Sequence, residues 1–212
     1  MSWKRKLLND FKLYAITNLE GDDPQILTKI KESLRGGVDV IQLRSKKLSD
    51  QSLFQLGKKI KQLTDRMKKL FIVNDRIDLM LALNADGVHL GQDDLPVELT
   101  RKMIKDKSKF IGCSTHSPKQ AQRAIREGAD YIGFGPIFQT PTKPTYEAIG
   151  LDGIKSVVRN AKVPVVCIGG IDQSNTKAVV KAGANRIAVV RAIFSSEHPY
   201  HAARELKRMI NL

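Results

Sequence analysis

Three short phrases recur along the chain: Gly36-Gly37-Val38-Asp39, Glu127-Gly128-Ala129-Asp130 and Ala182-Gly183-Ala184-Asn185. Ala85-Asp86-Gly87 is a shortened version of the same phrase. In the long versions, glycine falls where an amphipathic segment should stop, just ahead of an apolar run. Glycine stops helices because it accepts a left-handed backbone without a side-chain clash. The phrase is therefore a helix-to-strand junction, and its recurrence marks a repeated βα unit.

Working outward from these junctions, eight short runs rich in Val, Ile, Phe and Tyr read as buried parallel strands. They span residues 12–17, 38–44, 70–74, 87–90, 110–114, 131–135, 163–168 and 186–190. Helical patterns fall between and after them at 24–34, 50–66, 77–83, 118–126, 153–160, 174–181 and 199–210. Ser49-Asp50 and Ser117-Pro118 supply a cap and an N1 proline at two helix starts. Eight alternating units without a linker predict an α/β fold, a compact (β/α)8 TIM barrel in one catalytic domain over residues 1–212. An open flavodoxin-like sheet is the structural alternative, although it normally uses fewer strands.

The composition is that of a globular chain of 212 residues, 42% hydrophobic and 27% charged. No apolar run approaches the ~20 residues that span a bilayer, so no membrane association is expected. Asn9 and Asp10 cut short the apolar stretch at the N-terminus, which reads as a mature cytoplasmic chain without a secretory leader. Cys113 and Cys167 have neither zinc-site nor disulfide-framework spacing. The net charge of +14 raises nucleic-acid binding as a reading. Yet the cations are spread along helical stretches such as 57–70 and 97–109, and only 6% of residues are aromatic. A solvated helical layer that also steers anions fits better, and no nucleic-acid partner is expected.

In such a barrel, chemistry belongs at the C-terminal strand ends. The second strand ends in Gln42-Leu43-Arg44-Ser45-Lys46. Alternation points Gln42, Arg44 and Lys46 together into the mouth. Two cations and an amide suit a phosphoryl group, although polar layers also plug barrels through ion pairs. Asn74-Asp75-Arg76 and His89-Leu-Gly-Gln-Asp-Asp94 close the third and fourth strands. Carboxylates beside cations fit Mg2+ carrying a diphosphate, while Asn74-Asp75 alone could be a turn or a cap. His89 reads as a packed, hydrogen-bonded residue and not as a metal ligand. Ser114, Thr115 and His116 end the fifth strand, with Ser117 as a cap. The sixth strand enters a proline-stiffened loop containing Thr140-Pro141-Thr142-Lys143. Gly169-Gly170 and Val190-Arg191 end the last two strands, where barrels commonly build a phosphate site. The rim thus offers two anion sites, one with metal ligands.

As a set, these motifs resemble the thiamine-phosphate synthase family, in order from the first strand to the eighth. The resemblance implies a Mg2+-dependent transferase that joins a pyrimidine diphosphate to a thiazole phosphate and releases diphosphate. It assigns Gln42, Leu43, Arg44, Ser45, Lys46, Asn74, Ser114 and Lys143 to the pyrimidine diphosphate, with Arg44, Ser114 and Lys143 in catalytic roles. Asp75 and Asp94 would hold Mg2+. Thr140, Pro141, Thr142, Gly170, Val190 and Arg191 would bind the thiazole phosphate. The family pattern departs at two places: Arg191 replaces a usual serine, and Pro144-Thr145 follow Lys143 where a lysine and an acidic residue are usual. The alternatives are the related thiazole tautomerase, with His116 matching its histidine, and a non-catalytic ligand- or nucleic-acid-binding barrel. Assembly into a homo-oligomer stays open.

Overall fold

A computed structural model describes residues 2–141 and 146–211. The elements in chain order are α1 (Trp3–Asp10), β1 (Leu13–Ile16), α2 (Ile26–Arg35), β2 (Val40–Leu43), α3 (Asp50–Arg66), β3 (Leu70–Asn74), α4 (Ile77–Ala82), β4 (Gly87–Leu90) and α5 (Val97–Met103). They continue as β5 (Phe110–Thr115), α6 (Pro118–Arg126), β6 (Tyr131–Phe134), α7 (Ile154–Asn160), β7 (Val165–Ile168), α8 (Thr176–Lys181), β8 (Ile187–Val189), α9 (Arg191–Phe194) and α10 (Pro199–Ile210). The eight strands close into a barrel in sequence order, and β1 pairs in parallel with both β2 and β8. The barrel expectation holds, and the open-sheet alternative does not. No helix among the described residues is long and apolar enough to cross a membrane.

Strand alternation divides the core in two. Ile41, Leu43, Phe71, Val73, Ile111 and Val165 face the helices in the outer core. Tyr14, Val40, Ile72, Phe110, Tyr131 and Val166 fill the barrel interior with Leu8 and Phe11. Phe11 meets Tyr14 edge-on at 6.1 Å and Tyr131 at 6.4 Å. Such pairs add about 0.5–1.5 kcal/mol each beyond the area they bury. Leu8 and Phe11 belong to a helical plug at the barrel foot that the sequence reading passed over, namely α1 and its C-cap. Its visible signal was Ser2, whose side chain caps the helix by accepting from the N–H of Arg5.

The recurring phrases do more than end helices. The carboxylate of Asp39 accepts the backbone N–H groups of Lys12 and Leu13 on the β1 side. Asp86 does the same for Phe71 of β3, and Asp130 for Ile111 of β5. Each acid thus ties an even-numbered strand to its odd-numbered predecessor at the foot. Cations neutralise all three: Lys69 and Lys207 on Asp39, Lys4 on Asp86, and Arg5 and Arg101 on Asp130. The fourth phrase ends in Asn185, whose oxygen accepts from Arg186 Nη1 at 2.8 Å instead.

One helix is shorter than its helical stretch at 97–109, while α3 keeps the bounds 50–66. α5 stops at Met103 because Asp106 closes a turn with the N–H groups of Ser108 and Lys109. Lys109 then reaches the foot of the barrel, where its ammonium donates to the carbonyl of Ala85 at 2.8 Å. α3 stops at Arg66, and Lys68 at φ +53° turns the chain into β3.

Candidate active site

A cavity of about 400 Å³ opens at the C-terminal mouth. Gln42, Arg44, Asn74, Ser114, Thr140, Gly170, Val190 and Arg191 all line it, joined by His89, His116, Tyr146 and Gln173. Leu43 faces the other way and packs in the outer core, so contact from Leu43 to a ligand would have to come from its backbone.

Lys46 is also displaced from the expected line, because regular β2 ends at Leu43. Beyond it the Ser45 hydroxyl donates to Leu19 O at 2.8 Å and accepts from the N–H groups of Lys47 and Leu48. That serine turn breaks the two-residue alternation. Lys46 is left exposed on the rim, off the cavity wall, and Ser45 is occupied by the turn. Pro141 is exposed and also stands off the cavity. Thr142 and Lys143 lie outside the described residues.

Arg44 is buried to 7% exposure and locked at both ends. Its N–H donates to Thr17 Oγ1 at 2.8 Å, and its guanidinium donates to the side-chain oxygen of Asn18. Among the described residues, no carboxylate forms an ion pair with Arg44, Lys46 or Arg191. Arg76 behaves oppositely. It is bidentate to Asp50 at 2.7 and 3.1 Å and to Asp78 at 2.8 and 2.6 Å. The hydrogen bonds from Arg76 hold the Asp78 carboxyl down at about 2. Arg76 is therefore a structural clamp beneath the rim.

Asp75 and Asp94 follow adjacent strands. Asp75 is exposed at φ +60°, a conformation that Asp tolerates better than most residues, and its N–H donates to His89 O across the β3–β4 ladder at 2.8 Å. Asp94 turns one carboxylate oxygen back to the N–H of Gly91 at 2.6 Å and lines a separate hollow of about 60 Å³. Among the described residues there is no cluster of three or more metal-binding side chains. Two carboxylates on neighbouring strand ends nevertheless fit Mg2+, which takes one or two protein carboxylates and completes its shell with phosphate and water.

The β7 end is shaped by close backbone approach. Gly169 sits at φ +102° and Gly170 at φ +63°. A Cβ on Gly170 would lie 2.7 Å from both Gln139 O and Phe138 Cβ. The two glycines therefore accommodate the loop after β6, in addition to leaving the wall open for a ligand. Asn175 secures the turn by donating to Gly170 O at 2.8 Å and accepting from the N–H of Asp172 at 3.1 Å. Arg191 opens α9, a short helix absent from the sequence reading, and extends the wall beside Gly170.

On the floor, His89 is bonded through both ring nitrogens, to Tyr131 OH at 3.1 Å and Ser114 Oγ at 3.0 Å. This agrees with the expectation of a packed histidine, but it also joins the cavity lining, which the sequence reading missed. His116 stacks on Tyr146 at 4.3 Å and bonds through Nδ1 to Gly135 O at 2.5 Å. Burial raises the thiols of Cys113 and Cys167 to about 11 and about 12, so neither is poised as a nucleophile.

These features define a (β/α)8-barrel enzyme with a cation-bearing cavity at its C-terminal mouth. Residues 13–193 match the family described as thiamine monophosphate synthase. The chain is 41% identical over 207 residues to the thiamine-phosphate synthase of Chloroflexus aurantiacus, covering 96% of this chain and 94% of that protein. It is 42% identical over 204 residues to that of Thermosynechococcus vestitus, covering 96% of this chain but spanning only 57% of that longer relative. The solved thiamine phosphate pyrophosphorylase from Pyrococcus furiosus superposes with a TM-score of 0.86 at 37% identity, over 97% of this chain and 98% of that one. The chain belongs to the thiamine-phosphate synthase family.

Proposed function

We propose that the chain joins the methylene carbon of 4-amino-2-methyl-5-(diphosphooxymethyl)pyrimidine to the ring nitrogen of 4-methyl-5-(2-phosphooxyethyl)thiazole, giving thiamine phosphate and diphosphate. The observation that carries this reading is the presence of two cations, Arg44 and Arg191, on one cavity with no carboxylate partner among the described residues. A cation left unpaired at a cavity wall is set to meet an anion that arrives with the ligand.

In this reading Arg44, Lys46, Asn74 and Lys143 bind the diphosphate. The methylene C–O bond breaks with both electrons leaving on diphosphate, and the resulting pyrimidine-methyl cation is captured by the lone pair of the thiazole nitrogen. No proton need move, because the nucleophile is a neutral ring nitrogen. Asp75 and Asp94 would hold Mg2+, which when bound offsets the charge of the leaving diphosphate. Gln42 and Ser114 orient the pyrimidine so that the two reacting atoms meet in line. Thr140, Pro141, Thr142, Gly170, Val190 and Arg191 hold the thiazole phosphate. A soluble cytoplasmic setting accords with small charged substrates.

The test is to incubate purified protein with both substrates, with and without Mg2+, and to quantify thiamine phosphate and diphosphate. The expected result is equimolar formation of both products in the presence of Mg2+. No product with Mg2+ present rejects the reading. Isomerisation of a thiazole carboxylate phosphate in its place would support the tautomerase alternative, in which His116 is the proton carrier.

A further inference from the structure

The cavity floor rests on an unbroken line of hydrogen bonds. Gln42 Nε2 donates to Tyr14 OH at 2.8 Å, and Tyr14 OH lies 3.0 Å from Tyr131 OH. Tyr131 OH is 3.1 Å from His89 Nδ1, and His89 Nε2 is 3.0 Å from Ser114 Oγ. Gln42, Tyr14 and Tyr131 are each no more than 2% exposed, which isolates this part of the line from bulk water. Gly112 makes room for it, since a Cβ there would lie 2.1 Å from Tyr131 Cζ and 2.5 Å from His89 Nδ1.

A phenol carries one proton, and neutral imidazole has one donor and one acceptor nitrogen. Fixing one end of such a line fixes the direction of every bond in it. Because Gln42 donates to Tyr14, Tyr14 spends its proton on Tyr131, and Tyr131 spends its own on His89 Nδ1. The imidazole proton must then sit on Nε2 and be donated to Ser114 Oγ. The proton of Ser114 is thereby released from the line and turned toward the cavity that Ser114 lines. Burial raises both phenols above their ordinary range, which keeps them protonated as this order requires.

We infer that Tyr14, Tyr131 and His89 are positioning residues that fix Ser114 as a hydrogen-bond donor to the ligand, so that the site selects a pyrimidine with a ring-nitrogen acceptor at that point. This inference rests on the synthase reading for the identity of the ligand, but the order of the protons in the free protein does not. A serine hydroxyl held by nothing else donates or accepts with equal ease. Here its proton is left for the ligand, and a ligand presenting a C–H in place of the ring nitrogen loses the bond that this proton makes.

The experiment has one arm without turnover and one with it. In the first, histidine 15N NMR of the free protein is expected to show His89 as the Nε2–H tautomer, with Tyr131→Phe shifting it toward a mixture. In the second, Tyr131→Phe is expected to raise KM for the pyrimidine diphosphate by about fivefold, the worth of one neutral hydrogen bond. kcat and the KM for thiazole phosphate should stay within about twofold, since their contacts are untouched. Tyr131→Phe should add nothing further in a Ser114→Ala background, whereas a merely structural tyrosine would add its full cost there. Discrimination against a deaza-pyrimidine diphosphate should also weaken in Tyr131→Phe. Should Tyr131→Phe fail to fold, Tyr14→Phe breaks the line one step earlier and carries the same expectations. An Nδ1–H tautomer in the parent protein, or additive effects of Tyr131→Phe and Ser114→Ala, overturns the inference. A parent that makes no thiamine phosphate rejects the synthase reading and leaves the tautomer result to decide the proton order.

Discussion

The two ends of the barrel use charge in opposite ways. At the foot, Asp39, Asp86 and Asp130 are each bonded to backbone N–H groups and matched by Lys or Arg. At the mouth, Arg44, Lys46 and Arg191 have no ion-pair partner among the described residues. The foot therefore contributes to stability, and the mouth leaves its cations without an ion pair, as the proposed function requires. Substitutions at the mouth should change catalysis and spare stability, and those at the foot should do the reverse.

The largest effect is expected at the two carboxylates proposed to hold Mg2+, Asp75 and Asp94. Asp75→Asn and Asp94→Asn should each cut turnover by at least about 100-fold by removing charge from the site that would hold Mg2+. Asparagine is the appropriate replacement, because it tolerates the left-handed backbone at position 75 and can still accept from the N–H of Gly91 at position 94. Steady-state assays across a Mg2+ series would show it. Full activity in either variant would remove that carboxylate from the metal assignment.

Asp39→Asn should come next, on stability and not on turnover. Asp39 is buried, and removing one partner of a buried charge cluster costs about 3–5 kcal/mol. Burial alone would raise its carboxyl pKa, but the charges of Lys207 and Lys69 and the N–H of Lys12 outweigh it, and the net shift is downward. A carboxyl lowered on folding stabilises the protein above its unfolded value of about 3.9 and loses that contribution as pH falls through the folded value. Denaturant melts should thus show a gap between parent and variant at neutral pH that narrows below about pH 4. A gap independent of pH would break the contrast between foot and mouth.

Arg191→Ser introduces the serine usual in the family and tests the thiazole-phosphate half of the mouth. Loss of one exposed Arg–phosphate contact should raise KM for thiazole phosphate by about five- to tenfold, with little change for the pyrimidine diphosphate. An equal effect on both substrates would place Arg191 elsewhere.

How much of this was legible in the sequence follows the same division. Periodicity and glycine punctuation give the barrel, because strands of period two and helices of period 3.6 leave their mark on every residue. Gln42, Arg44, Asn74 and Ser114 were found because they sit on regular strands or just past them. Lys46 stands off the line of Gln42 and Arg44 because Ser45 ends the alternation through hydrogen bonds that no hydropathy pattern records. Leu43 was drawn in by its neighbours, although its own alternation points it outward. α1 was missed for want of reading Ser2 as a cap. The Tyr14–Tyr131–His89 line joins residues from β1, β6 and β4, and only barrel closure brings them together. The three foot acids were visible as a repeated phrase, but their role as ties between strands depends on register.

The fourth foot corner is the exception that gives the smallest test. There Asn185 stands where the other corners have an acid, and among the described residues Arg186 forms no ion pair. Arg186 donates to the carbonyl of Asn9, lies 5.6 Å from the centre of the Phe11 ring, and leaves its buried Nε without a hydrogen-bond partner among the described residues. Burial lowers its pKa, so the charge sits there at a cost. Asn185→Asp should supply the missing acid. Position 185 is exposed, so solvent screening limits the gain to about 0.5–1 kcal/mol. That gain corresponds to a rise of about 1–4 °C in Tm for a chain of this size, with kinetics unchanged. A Tm that stays level or falls would mean that the foot is stabilised by the particular hydrogen bonds of its three acids, and not by charge balance as such.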